Sequence, residues 1–324
     1  MRIVIITAVG CATPTTPGAP AWQPIETGVV GRWGHTAQYD AVRDAMFVFG
    51  GEHAGGQLSE LLTYHPATGA WERLDTSDAL FGRTDLASAI DTLNDRLILI
   101  GGRIGLATSV GDVVAYKDGQ WQTLPRGPAP RHDVVAASDG AHAWVFGGAG
   151  EFLQSLDDLW QLDFATDTWT QLPEGGVRPS ARAANALAYH DGALYLVGGH
   201  DLSAIKRDVW RYDLAAQQWT ELAPTSAPPA WSHFGFAVDT QCDALVLVAG
   251  DNLDNIDTSL ATTFDFATTT FARLETSTLP HPRDHPSLVV DSTRHQLVLF
   301  GGGTLGDGLG TLDDAWSLPL EVCP

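Results

Sequence analysis

The chain has 324 residues, 44% hydrophobic and 18% charged, with a formal net charge of −21 and only two lysines, Lys117 and Lys206. So acidic a surface repels nucleic acid and anionic membranes over most of its area, which excludes both as general partners. The length exceeds one ordinary core unless the fold is a barrel, a sandwich or a repeat array. Short apolar runs punctuated by Gly, Pro, Asp and Asn make the class all-β.

Residues 1–20, MRIVIITAVGCATPTTPGAP, open on a basic residue and a short apolar run and end in a Thr/Pro/Gly-rich tether. The small residues ahead of Cys11 resemble the lipobox of bacterial lipoproteins, although Ala8 stands where that motif usually has Leu. The resemblance implies that Cys11 is diacylated and becomes the mature N-terminus, giving a cell-envelope lipoprotein or a secreted, periplasmic protein. An ordinary β-strand and a misplaced start are the other readings of this run. No later segment approaches the roughly 18 apolar residues of a membrane span, so a lipid anchor is the expected contact with a membrane.

Beyond the tether the chain repeats itself. Each unit begins at Arg32, Arg83, Arg131, Arg182, Trp231 or Arg283 and runs through a short apolar strand to Asp40, Asp91, Asp139, Asp191, Asp239 or Asp291. A second strand then closes on glycines: MFVFGG (46–51), LILIGG (97–102), AWVFGG (143–148), LYLVGG (194–199) and LVLFGG (297–302). In the fifth unit LVLVAG (245–250) carries Ala249 for the first glycine. Third strands read LLTY, VVAY, LWQL, VWRY, ATTF and AWSL. Five units end in an aromatic and a leucine: Trp71/Leu74, Trp121/Leu124, Trp169/Leu172, Trp219/Leu222 and Phe271/Leu274. The second strands alternate no polar residue, the pattern of a strand buried on both faces.

An Arg-led first strand, a second strand ending Gly-Gly, then a Tyr and a Trp resemble the kelch repeat. The resemblance implies a six-bladed β-propeller, one domain over 21–324, with four antiparallel strands per blade. The blades are expected at 32–75, 83–125, 131–173, 182–223, 231–275 and 283–320. The sixth unit lacks its last strand, and AWQPIE (21–26) matches AWERLD (70–75) and QWQTLP (120–125). Residues 21–27 are therefore expected to pair with the last blade and close the ring, which removes its open edge. The glycines are expected where a neighbouring backbone or a large aromatic comes too close for a side chain.

Strand order puts the arginine-bearing connections and the segments after Gly-Gly on one face, called here the upper face. The Asp turns fall on the lower face. Propeller ligands sit near the axis on a loop-rich face, so the expected ligand-binding residues are upper ones. They are Arg32, Arg83, Arg131, Arg182, Trp231, His233, Arg283 and His285 at the strand starts, with Glu52, Arg103, His200 and Asp251 after the glycines. Five guanidinium forks around one axis suit a carboxylate or phosphate. Glu52, Asp201 and Asp251 are the carboxylates expected beside them, and the competing reading makes each arginine a structural part of its repeat. Trp231, which breaks the pattern, would offer its ring to a sugar face.

No catalytic, cofactor or metal set is expected. The copper-radical galactose oxidases are kelch relatives, but the six tyrosines here lie within strands or away from the upper face, which argues against such a centre. DNLDNID (251–257) lacks the ligand spacing of an EF-hand loop, and GGGTLGDGLG (301–310) lacks the strand–turn–helix setting of a dinucleotide fingerprint. Cys242 and Cys323 fall on the lower face in neighbouring blades, where a disulfide or two free thiols both fit. The expected protein is a monomeric, non-catalytic binding scaffold at the cell envelope, with a protein or carbohydrate ligand. The alternative is a propeller enzyme or lectin-like binder acting on a small anionic sugar, as in the bacterial sialic acid epimerases.

Overall fold

Five repeats each fold into one four-stranded antiparallel sheet, the sixth supplies three strands of another, and the six sheets stand around a common axis. The computed structural model describes residues 18–74, 80–173, 175–201, 203–252, 256–304 and 310–320; Cys11, most of the expected leader and Cys323 lie outside them. In the first blade the strands are Thr36–Asp40, Ala45–Phe49, Leu61–His65 and Ala70–Leu74, with the first innermost. The other inner strands are Ala87–Asp91, Ala136–Ser138, Ala186–His190, Gly235–Asp239 and Ser287–Asp291. Neighbouring inner strands touch all the way round.

The ring closes as the repeat pattern requires. Gln23–Ile25 pairs antiparallel with Ala315–Pro319, Pro24 facing Trp316, and so serves as the outer strand of the sixth blade. Trp22 packs with Val246, Leu288 and Leu297 between blades five and six. Trp71 does the same one interface further on, with its ring 4.8 Å from that of Phe300.

The core is not at the axis. Among the described residues there are six apolar clusters, one for each blade–blade interface, and every second strand contributes to two of them. In LYLVGG, Leu194 and Leu196 face the third blade while Tyr195 and Val197 face the fifth. This is why those strands carry no polar residue: burial on both sides makes every position favourable to an apolar side chain.

The lower-face aspartates fold the turns. Asp40, Asp91, Asp139, Asp239 and Asp291 each accept backbone N–H groups two and three residues on, closing the turn between the first two strands. The fourth blade uses a tighter turn, with Asp191 at φ 42° and Gly192 at φ 73°, the Asp-Gly arrangement of a two-residue hairpin. Cys242 lies in the fifth of these turns and is disulfide-bonded.

The glycine pairs answer a packing demand. Gly101 has φ +65°, and a Cβ there would stand 2.6 Å from the carbonyl oxygen of Arg131 in the next blade. At Gly198 the neighbour is an aromatic, the Phe234 ring, 3.3 Å from where a Cβ would be. Apart from one 3₁₀ turn, Glu151–Leu153, the described residues form strands, turns and loops, and no helix among them is long and apolar enough to cross a membrane.

Candidate functional site

The repeat arginines are internal staples. Arg131 is buried; its Nη1 donates to the Gly147 carbonyl at 2.8 Å, and Nη1 and Nη2 donate to the two oxygens of Asp158 at 2.7 and 2.8 Å. Asp158 also accepts from Trp160 Nε1 at 2.6 Å. Each staple joins the glycine end of the second strand to the start of the third. Arg83, Arg182 and Arg283 repeat it with Asp112, Asp208 and Asp314, and Arg32 with Glu60. In the fifth blade Trp231 replaces the arginine, and Leu260 stands where the acid would be, its carbonyl accepting from Ala249 as Asp158's does from Gly147. Both members of the pair are missing together.

Of the two readings of the five arginines, the geometry agrees with the structural one and corrects the anion patch. Their guanidinium groups are buried in separate blades and bound to carboxylates that lie just ahead of each third strand. The acids expected beside them go elsewhere: Glu52 stands 4.0 Å from Arg103, Asp201 pairs with Lys206, and Asp251 holds His233. Trp231 is half-buried against the core between blades four and five, not presented at the axis.

Burial pushes the carboxyls of Asp158, Asp208 and Asp314 up, but hydrogen bonds and charge from their arginines outweigh it and leave them below the ordinary carboxylate range. A group with a depressed folded pKa contributes stability above its unfolded value, about 3.9 for Asp, and that stability is lost as pH falls through the folded value. Melting temperature should hold from neutrality to about pH 5 and then decline steadily toward about pH 2. A curve flat to about pH 3 would show that these pairs contribute nothing measurable.

Two residues past each arginine position the chain turns in toward the axis. Gly34, Asp85, Asp133, Ala184, His233 and His285 occupy the six equivalent places, all with positive φ between 46° and 65°. Backbone hydrogen bonds link neighbours around this ring, from Asp85 N–H to the Gly34 carbonyl at 2.7 Å and from His285 N–H to the His233 carbonyl at 2.7 Å. The ring caps the upper end of an axial cavity of about 560 Å³ walled by the inner strands.

Asp133, His233 and His285 each place a nitrogen or carboxylate oxygen within 4.8 Å of the other two. His233 Nδ1 lies 3.0 Å from Asp251 Oδ1, which also accepts from the Ser232 hydroxyl at 3.0 Å. His285 Nδ1 is 3.4 Å from Asp284 Oδ1, an ion-pair distance without hydrogen-bond geometry. The two imidazoles stack with centroids 3.9 Å apart, and His200 lies 4.9 Å from His233. Asp85 is held through Oδ2 by Arg103 at 3.0 Å and by Thr84 at 2.8 Å, whereas its Oδ1 is buried with no hydrogen-bond partner.

These charges answer one another. Burial pulls the His285 imidazolium down, but Asp284, Asp85 and Asp133 outweigh it and push its pKa up to about 9. Burial raises Asp133, and the histidines 233, 285, 132 and 200 more than reverse this. Asp85 is raised by burial and by the charge of Asp133. His200 is lowered by burial and by His233.

A family model described as the KLHDC2/KLHL20/DRC7 Kelch-repeats domain matches residues 34–250 and again 88–302. The chain belongs to this Kelch family. It is 31% identical over 194 residues to human Kelch domain-containing protein 10, covering 52% of this chain and 42% of that one. It is 26% identical over 285 residues to Acyl-CoA-binding domain-containing protein 4 of Arabidopsis thaliana, with 81% and 42% covered. With the leucine-zipper-like transcriptional regulator 1 homolog of Drosophila melanogaster it shares 26% over 294 residues, 83% of this chain and 30% of the other. The chain spans less than half the length of each. All three relatives are eukaryotic, so the kinship lends nothing to the bacterial lipobox resemblance.

Within the Kelch frame the structure brings four of the expected residues together at the axis: His200, His233, Asp251 and His285. Arg103 joins them through Asp85, while Glu52 stays at the margin. Asp85, Asp133 and Asp284 were not anticipated. Their signal is positional: they stand one or two places after the repeat arginine, where Kelch packing demands only a backbone that turns inward.

Proposed function

We propose that this Kelch propeller is a non-catalytic scaffold that docks a protein on its upper face, held at the cell envelope by the leader expected over residues 1–20. One observation supports the docking face. Among the described residues eight large hydrophobic side chains are exposed, and six of them, Val30, Phe81, Leu106, Phe152, Val177 and Ile256, lie on upper-face loops. Val42 and Leu93 lie on lower-face turns. A preponderance of exposed apolar side chains on one face favours that face as the interaction surface. Phe152 is 96% exposed and sits at φ 58°, a conformation that costs an aromatic residue energy and tends to persist where function holds it. Against a net charge of −21, the partner that fits carries apolar side chains inside a basic rim. The anionic character of the alternative sugar ligand rested on the arginine ring, whose donors are engaged within the blades.

The test isolates the partner from the native host and measures its binding to purified variants. Phe152→Asp combined with Leu106→Asp should weaken binding about 30-fold or more, the scale of losing interface anchors. Stability should hold, since these side chains are 96% and 91% exposed. Val42→Asp should bind normally. Binding lost in Val42→Asp and kept in the upper-face variant would overturn the proposal.

A further inference from the structure

We propose that Asp133, His233 and His285 form a binding site for a divalent transition-metal ion on the propeller axis, zinc being the ion the ligand set suits best. The set is two imidazole nitrogens and one carboxylate oxygen, a combination that binds zinc at about 2.0–2.2 Å and leaves the remaining position open. Around a tetrahedral ion such ligand atoms sit about 3.3 Å apart. Here all lie within 4.8 Å, so side-chain rotation closes the set without moving the backbone. That backbone is itself fixed by the hydrogen-bonded ring.

Three further features point the same way. The His233 Nδ1 is hydrogen-bonded to Asp251 at 3.0 Å, and the Asp284 carboxylate stands at ion-pair distance, 3.4 Å, from His285 Nδ1. For His233 this leaves Nε2 as the donor, the arrangement that orients metal-binding histidines. Second, the Asp85 side chain is 4% exposed, yet its Oδ1 has no hydrogen-bond partner and points at Gly34 in the same ring. A buried lone oxygen beside Asp133 calls for a cation or a water bound to one. Third, Asp133, His233 and His285 all line the axial cavity, so a water or a carboxylate or hydroxyl oxygen of a docked molecule can complete the coordination from there. Asp239, Cys242 and His295 form another cluster of similar size, but Cys242 is disulfide-bonded and offers no thiolate.

The experiment uses the untagged full chain, stripped with a chelator, and zinc and cobalt(II) as probes. Calorimetry should give one zinc per chain. At zinc about a hundredfold above its Kd the melting temperature should rise by about 5 °C. Cobalt should give the visible absorption of a four- or five-coordinate ion. Asp133→Asn, His233→Gln and His285→Gln should each weaken zinc by about a hundredfold or more, and Asp251→Asn by about 10–100-fold. Melting of the metal-free variants identifies any that misfold, and the remaining ones carry the test. No saturable zinc binding up to about 1 mM, binding unchanged in every folded variant, or binding abolished by His295→Gln would each overturn the site. None of these readouts involves the docked protein.

Discussion

Arg131→Met should destabilise the protein by about 3–5 kcal/mol and lower its melting temperature by roughly 10 °C. The side chain is buried and donates to both oxygens of Asp158 and to the carbonyls of Gly147 and Ala129. Methionine fills much of the space but satisfies none of these acceptors, and Asp158, 24% exposed, keeps only the Trp160 indole as a side-chain partner. Removing one member of a buried pair is costly because the other charge stays behind, whereas replacing both with apolar groups is often neutral. The protein already contains that second experiment in its fifth blade, where Trp231 and Leu260 occupy the two seats. Arg131→Met with Asp158→Leu should therefore recover most of the stability lost in the single variant. Chemical unfolding of both variants is the measurement. A single-variant loss below about 1 kcal/mol, the scale of an exposed ion pair, would show that the staple is not structural.

That fifth blade also marks how far the sequence is legible. The arginine recurs once per repeat and is visible at once, but its acid partner becomes visible only when two departures, Trp231 and Leu260, are seen to coincide. Strand burial, Asx turns and glycine spacing are local, so the repeat exposes them directly, and AWQPIE reveals ring closure by likeness to AWERLD. The axial cluster is different. The six ring positions hold Gly, Asp, Asp, Ala, His and His, and Asp133, His233 and His285 come from three different repeats. Only ring geometry turns residues from blades three, five and six into neighbours, so no motif along the chain announces them. Exposure is likewise hidden: Phe152 reads as another apolar residue until the turn at Glu151–Leu153 places it in solvent.

Removing the chain through residue 30 should do more damage than any single substitution, because it opens the ring. The loss includes the Gln23–Ile25 ladder with Ala315–Pro319, the Thr27 hydroxyl bond to the Asp313 carbonyl at 2.7 Å, and the Ser277 N–H bond to the Pro20 carbonyl at 2.9 Å. It also includes Trp22, only 2% exposed between blades five and six. Trp22→Ala alone should cost about 3–5 kcal/mol through lost burial and the cavity left behind. The deletion adds an unpaired edge, since Ala315–Pro319 would present free backbone groups ready to pair with another chain. Two effects are then separable. Trp22→Ala should melt earlier yet remain monomeric, because its outer strand is intact. The truncated chain should melt earlier still and associate in proportion to its concentration. Light scattering during thermal melts distinguishes them, and a truncated protein that stays monomeric and melts with Trp22→Ala would show that the indole, not the strand, holds the ring closed.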